Sequence, residues 1–425
     1  MNLFTDILTG VFLPTVLLVA GITLGVKLKF FYILHPIRLW RTIKDAATGD
    51  GISPLRALSV ALAGTLGVGN ITGVVTAIAC GGPGAVFWMW VSAVLVMSVK
   101  YAEVYLAQVY RTADGNGGAM YYIKHGLPLR GRIPEILAAG FAILIIINSL
   151  LTGTIVQTDA ATAAVSHIIP SIPPIVWGIA FGIFASIAVS GGLRRVSDLT
   201  VKLIPVLSLV FIVVSAYCII QNRSAIPSAF TRIIDGAFTS EAAGGGVLGF
   251  GINSAIRYGV TRGIFSNEAG CGTSPSAHGA ASAKSPHHQG CMGIFEVFAD
   301  TIVLCSITAL VILTSGLSPS EDGMVSALAS YAVSGGSICA VIIGICVILF
   351  AFATVVSQSC YGLGGVWYLS KSPKAKWIYI ILLSLSAIAG SVIPAELMWG
   401  IADFIIATMT IINTTVVFSI FICYN

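Results

Sequence analysis

Apolar runs of about twenty residues recur along the whole of this chain, and they constrain its fold more than any motif does. A bilayer core about 30 Å thick is crossed by about 20 apolar residues of helix, and lipid tolerates no unpaired backbone. The runs therefore read as a bundle of membrane helices. Composition agrees: 56% of the 425 residues are hydrophobic and 9% are charged, against roughly 25% charged in soluble domains. Bounded by Gly, Pro and charge, crossings fall near 11–26, 55–80, 84–110, 134–168, 174–191, 203–221, 245–265, 290–316, 338–368, 377–393 and 397–423. This is one all-α polytopic domain, over 1–425, of about eleven transmembrane helices.

The basic residues test that count, because cytoplasmic loops concentrate Lys and Arg. One set of alternate loops holds Lys27, Lys29, Arg38, Arg41, Lys44, Arg56, Arg111, Lys124, Arg130, Arg132, Arg194, Arg195 and Lys202, then Arg257, Arg262, Lys284, Lys371, Lys374 and Lys376. The opposite set holds Arg223 and Arg232. The asymmetry predicts an outside N-terminus and a cytoplasmic C-terminus. It also explains the formal charge of +5 as a topology signal rather than a nucleic-acid surface. The first run lacks a preceding basic segment and an A-x-A cleavage site, so it reads as a retained helix. Nine cysteines occur singly, without metal-ligand spacing, and read as small core residues.

Two segments defy continuous helix: 64–73, reading GTLGVGNITG, and 244–253, reading GGGVLGFGIN. Each glycine weakens a helix by about 1 kcal/mol relative to Ala, and unwound backbone survives at membrane depth only beside a cavity. Both are therefore candidate binding sites. They open the second and seventh helices, the first members of two five-helix halves, 51–221 and 236–425, that follow an extra N-terminal helix and loop in 1–50. Unwound segments at matching positions are the mark of an inverted-repeat transporter. Close helix packing through small residues is the alternative use of such glycines.

Ionisable groups in lipid cost roughly 2.5 to 3.5 kcal/mol each and need a partner or a task. Lys100 and Glu103, at i and i+3, can pair with each other. Asp300 and Asp403 lie near helix ends and suit a packing bond, a gate or transport. Asp159 lies deeper, beside Gln157, whose amide offers two donors and an acceptor either to a zwitterion or to a neighbouring helix. The run 262–273, reading RGIFSNEAGCGT, is expected to form a gate or helix end on the cytoplasmic side. His278, His287 and His288 have no carboxylate or Cys at ligand spacing and read as a solvated loop. No Walker loop, G-x-S-x-G elbow or H-E-x-x-H pair is present, so ATP drive and hydrolysis have no motif behind them.

GNITGV at 69–74 followed by GGPGAVFWMWV at 81–91 closely resembles the prokaryotic sodium:alanine (alanine or glycine:cation) symporter family. GGAMYYI at 117–123, RGIFSNEAG at 262–270, and Asp300-Thr301 with Cys305 and Thr308 agree in order and spacing. The resemblance implies a leucine-transporter-like fold of two inverted five-helix repeats plus the extra helix. It implies symport of a small neutral amino acid with a co-transported sodium ion across a prokaryotic plasma membrane. It places the substrate carboxylate at Thr72 and Gly73, with Asn70, Gln157 and Gln358 also at the substrate. It places sodium on the carbonyls of Ala63 and Leu66 and the hydroxyl of Thr354.

The chain departs from the family late in its length. Members usually carry Ser and Thr where this chain has Ala353 and Thr354, and Gly-Trp where it has Ser357 and Gln358. Asp159 replaces an Asn, and Ile406 and Ile412 replace an Asn and a Pro. One cation hydroxyl is thus missing at Ala353, and an aromatic wall becomes an amide at Gln358. The departures leave three readings: sodium symport, proton-coupled or uncoupled transport with Asp159 as the titratable group, and a nontransporting relative.

Overall fold

Four of the described helices begin with the same pair, Ser-Pro, and in three of them the serine caps the helix. In this computed structural model, which describes residues 7–45, 52–238, 248–320, 322–393 and 395–423, the hydroxyls of Ser53, Ser285 and Ser372 accept from the amides of Arg56, His288 and Lys374. A proline at the first helical position loses no bond that the helix needs, and the serine satisfies an orphan amide. These starts all lie at one end of a helical bundle. There Arg56 pairs with Asp198 at 3.0 Å and Lys284 with Asp45 at 3.4 Å. Lys376 donates to the Ser190 carbonyl at 2.8 Å, and Ile52 bridges Ala281. We call this the basic end.

In chain order the elements are α1 (Leu13–Lys27), α2 (Pro36–Lys44), α3 (Pro54–Thr65), α4 (Thr72–Gly81), α5 (Gly84–Val109), α6 (Ala119–Gly126), α7 (Ile133–Leu150), α8 (Val156–Ile168), α9 (Pro174–Ser190) and α10 (Gly192–Gln221). There follow α11 (Ile226–Phe238), α12 (Leu248–Asn267), α13 (Pro275–Gly279), α14 (Pro286–Val297), α15 (Ser306–Thr314), α16 (Gly323–Gly335), α17 (Ser337–Leu369), α18 (Pro373–Gly390) and α19 (Ala395–Cys423). A π-helical turn, Leu151–Ile155, joins α7 to α8, and another, Phe298–Cys305, joins α14 to α15. Seven of the described helical runs are long and apolar enough to cross a bilayer, and Thr72–Gly81 and Pro174–Ser190 are shorter apolar helices. The long α17 runs through the middle, packing on α3, α7, α8 and α10, while α5 packs on α12 and α14.

The expected crossing at 55–80 is broken. α3 stops at Thr65, a 3-10 turn spans Val68–Asn70, and α4 restarts at Thr72. Among the described residues the seventh helix breaks further along the chain than 244–253. Residues 244–247 lie outside the described residues, and 248–253 are helical backbone. The chain instead leaves the helix after Asn267, where Glu268 takes φ 51° and Gly270 and Gly272 take φ 81° and 76°. Three left-handed residues within five cannot continue an α-helix. This moves Arg257 and Arg262 away from the basic end, correcting the cytoplasmic placement read from the sequence. α12 enters from the opposite end, where Gly259 lies against the Ala85 carbonyl and Tyr258 against Gly81.

Candidate binding site between the broken helices

Ending α3 at Thr65 frees carbonyls that a continuous helix would use, and α17 meets them with one polar stripe. Thr354, Ser357, Gln358 and Tyr361 recur at i, i+3, i+4 and i+7, the spacing of one helix face. Thr354 Oγ1 donates to the Ala63 carbonyl at 2.8 Å and to its own Phe350 carbonyl at 3.0 Å. Ser357 and Tyr361 donate to Val60 at 2.5 and 3.3 Å, and Gln358 Nε2 to Gly64 at 3.2 Å. From α8, Gln157 Oε1 accepts the Val68 amide at 3.1 Å. Gly67 sits so close that a Cβ there would lie 2.7 Å from both Gln157 Oε1 and Thr354 Oγ1. Only glycine fits without displacing one of them.

Beyond the break, Thr72 starts α4 with its hydroxyl donated to the Val68 carbonyl at 2.9 Å. At Gly73 a Cβ would meet nothing within 4 Å. Here the protein opens into a vestibule of about 550 Å³, lined by Thr72, Thr76, Asp159, Arg262, Asp322 and Trp399 among others. Arg262 makes a two-pronged pair with Asp403, at 3.0 and 2.9 Å, and its guanidinium lies 5.0 Å from the Trp399 ring centroid. Phe265 packs on the same Trp399 at 4.7 Å. Arg262, from the run expected to form a cytoplasmic gate or helix end, thus lines the vestibule at the end opposite the basic loops.

The second break is held by buried charge. Lys100 lies 3.0 Å from Glu296 and 3.8 Å from Glu103, all fully buried, so the expected neighbour is the more distant of its two partners. The same ammonium donates to the Asn267 carbonyl at 3.1 Å and to Ser274 Oγ. It thus staples both sides of the break. Glu268 accepts from Thr273 Oγ1 and Gln358 Nε2, each at 2.6 Å, and Asn413 Nδ2 spans the Gly270 carbonyl and Glu103 Oε2. His278, expected in a solvated loop, is fully buried: Glu296 lies 3.0 Å from Nε2 and Gln289 2.6 Å from Nδ1. A carboxylate eighteen residues onward in sequence supplies the partner that local spacing could not show.

The structure thus collects Ala63, Leu66, Thr354 and Gln157 around the first break, with Thr72 just beyond it on the vestibule wall and Gly73 buried next to it. Asn70 turns away, donating Nδ2 to Asp300 Oδ1 at 2.8 Å. Gln358 stands between the two breaks, linking Gly64 to Glu268. Glu268 and Asp322 were not singled out from the sequence. A left-handed Glu leaves no sequence signal, whereas Asp322, whose Oδ1 caps α16 at the Val325 amide, could have been found as a helix N-cap.

A model of the sodium:alanine symporter family matches residues 1–423. The chain belongs to the sodium:alanine symporter family. Among curated relatives of this symporter chain, the sodium/alanine symporter AgcS of Methanococcus maripaludis is 35% identical over 427 residues, covering 97% of this chain and 92% of that protein. The probable sodium/glutamine symporter GlnT of Bacillus subtilis is 32% identical over 426 residues, covering 98% and 87%. Among solved structures, MhsT in complex with L-phenylalanine superimposes with a TM-score of 0.61 at 14% identity, covering 87% of this chain and 89% of that one. The fold is that of the leucine-transporter-like carriers. The symporter chain is a membrane-spanning secondary transporter of the amino-acid symport class, not an enzyme.

Proposed function

We propose that the chain carries a small neutral amino acid together with sodium across a prokaryotic plasma membrane by alternating access, with the basic end cytoplasmic. The observation that carries this reading is the first break. Thr354 Oγ1 and the Ala63 carbonyl lie in contact beside Leu66, whose own backbone has left the helix. Neutral hard oxygens of this kind suit a monovalent cation that must also be released. One turn away, Thr72 at the N-terminus of α4 lines the vestibule, with Gly73 next to it in the first turn, and a half-helix N-terminus favours a carboxylate. The halves 51–221 and 236–425 would supply the two broken helices. Binding of ion and substrate would bias which end is open.

The decisive experiment is uptake of radiolabelled alanine into proteoliposomes holding the purified chain, with and without an imposed sodium gradient, and with glycine, serine and glutamine as competitors. Gradient-driven accumulation that Thr72→Val abolishes is the expected result. Uptake driven by a proton gradient and indifferent to sodium would instead favour the second reading. That reading has its own observation, since Asp159 and Asp322 both line the vestibule.

A further inference from the structure

Between the first span and the first broken helix the chain makes a segment that the transport site does not use. After α1 it turns sharply through two left-handed residues, Lys29 at φ 54° and Phe30 at φ 42°, and the Phe30 ring folds back onto Gly25. One helical turn, Phe31–Leu34, leads into α2. α2 divides into three sectors. Ile43 is buried and Leu39 half-buried, facing the protein, where α2 packs on α14. Ile37 and Trp40, with Leu34 just before the helix, remain 69%, 47% and 65% exposed. Arg38 and Arg41, one turn apart, project away from the buried sector, and Lys44 lies over the Trp40 ring at 5.3 Å.

The depth of this helix follows from Trp40. Its ring lies 6.0 Å from that of Phe295, nine residues into α14 and so about 14 Å along that helix from its start. Large apolar side chains exposed at that depth meet acyl chains, and the arginines on the far side rise to the headgroups. Leu34, His35, Pro36, Ile37, Arg38 and Arg41 line a recess of about 540 Å³ that is apolar on one wall and cationic on the other. Among the described residues no carboxylate pairs with Arg38 or Arg41, and Asp45 at the helix end is taken by Lys284 at 3.4 Å.

We propose that this recess is a binding site for an anionic phospholipid, its phosphate held by Arg38 and Arg41 and its acyl chain laid on Leu34 and Ile37. The bound lipid braces α2 against α14, the helix that carries Glu296 and so part of the buried staple of the second break. Lipid retention by the full-length protein, read by native mass spectrometry, tests the site with phosphatidylglycerol and phosphatidylcholine as probes. Quenching of Trp40 by brominated forms of the same lipids gives a second readout, with Trp40→Phe as the blank. Phosphatidylglycerol is expected to bind and quench preferentially. Arg38→Gln with Arg41→Gln should weaken it about tenfold or more, while Lys371→Gln with Lys374→Gln, which removes two charges from the same end, should leave it unchanged. Equal binding of the two lipids by the unmodified protein would overturn the proposal. So would displacement of the lipid by free glycerol phosphate at the same concentration, which would mark a phosphate site with no lipid component. If the double arginine variant does not fold, the headgroup preference of Trp40 quenching in the unmodified chain decides alone.

Discussion

Thr354 and its neighbour Ala353 show how much of the proposed ion site rests on one hydroxyl. Both are buried in α17, and Thr354 alone reaches the Ala63 carbonyl. Thr354→Val removes one oxygen of very few. It should raise the half-saturating sodium concentration for uptake about tenfold or more, at about 1.5 kcal/mol for a lost polar partner. Ala353→Ser restores the hydroxyl that relatives usually carry and should lower that concentration. A sodium titration of alanine uptake checks both. Single residues also mark where the sequence was legible and where it was not. The break beside Thr72 and Gly73 was legible because glycines flag it and the family motif runs through it, whereas the proposed roles of Ala63 and Thr354 come from the resemblance alone. Gln358, expected at the substrate, commits its Nε2 to Gly64 and Glu268, partners 294 and 90 residues away, while its Oε1 is buried without a partner among the described residues. Nothing local in the sequence announces contacts at that separation.

At the scale of the element, the two breaks are made differently, and this explains why one was read and the other displaced. The first is dense in glycine over ten residues. The second is a charged, amide-rich run whose left-handed turn rests on Glu268, Gly270 and Gly272 and whose two sides are tied by Lys100. Glycine density pointed to 244–253, of which 248–253 are helical backbone and 244–247 lie outside the described residues. Lys100→Met would leave Glu296 and Glu103 without their shared cation. The expected loss is about 3 to 5 kcal/mol, seen as a lower melting temperature in detergent and poor yield. Gly270→Ala adds a Cβ at φ 81° that would also lie 2.5 Å from Thr414 Oγ1. It should destabilise the fold by at least about 1 kcal/mol, and the same melting measurement reports it. Gly67→Ala pushes apart Gln157 and Thr354 and should abolish uptake while shifting the melting temperature less.

Across the whole molecule, the vestibule beside Thr72 and a smaller cavity of about 290 Å³ at the basic end, lined by Tyr121, Tyr361, Trp367 and Lys376 among others, approach the breaks from opposite sides. Cys80 lines the vestibule and reports on it without any engineering. A membrane-impermeant maleimide applied to whole cells should label Cys80, and Cys80→Ser should remove that signal. Arg262→Gln, which breaks the pair with Asp403, should speed the labelling several-fold. Failure to label from outside would invert the proposed orientation. The four α17 side chains that bind α3 carry one more consequence. A cation taking the proposed seat at Ala63 would have to turn the Thr354 hydroxyl proton aside, whereas the bonds from Ser357, Gln358 and Tyr361 could stay in place. In the proposed mechanism this hydroxyl would then act as a plug on the ion seat, one that would resist leakage when cargo is scarce.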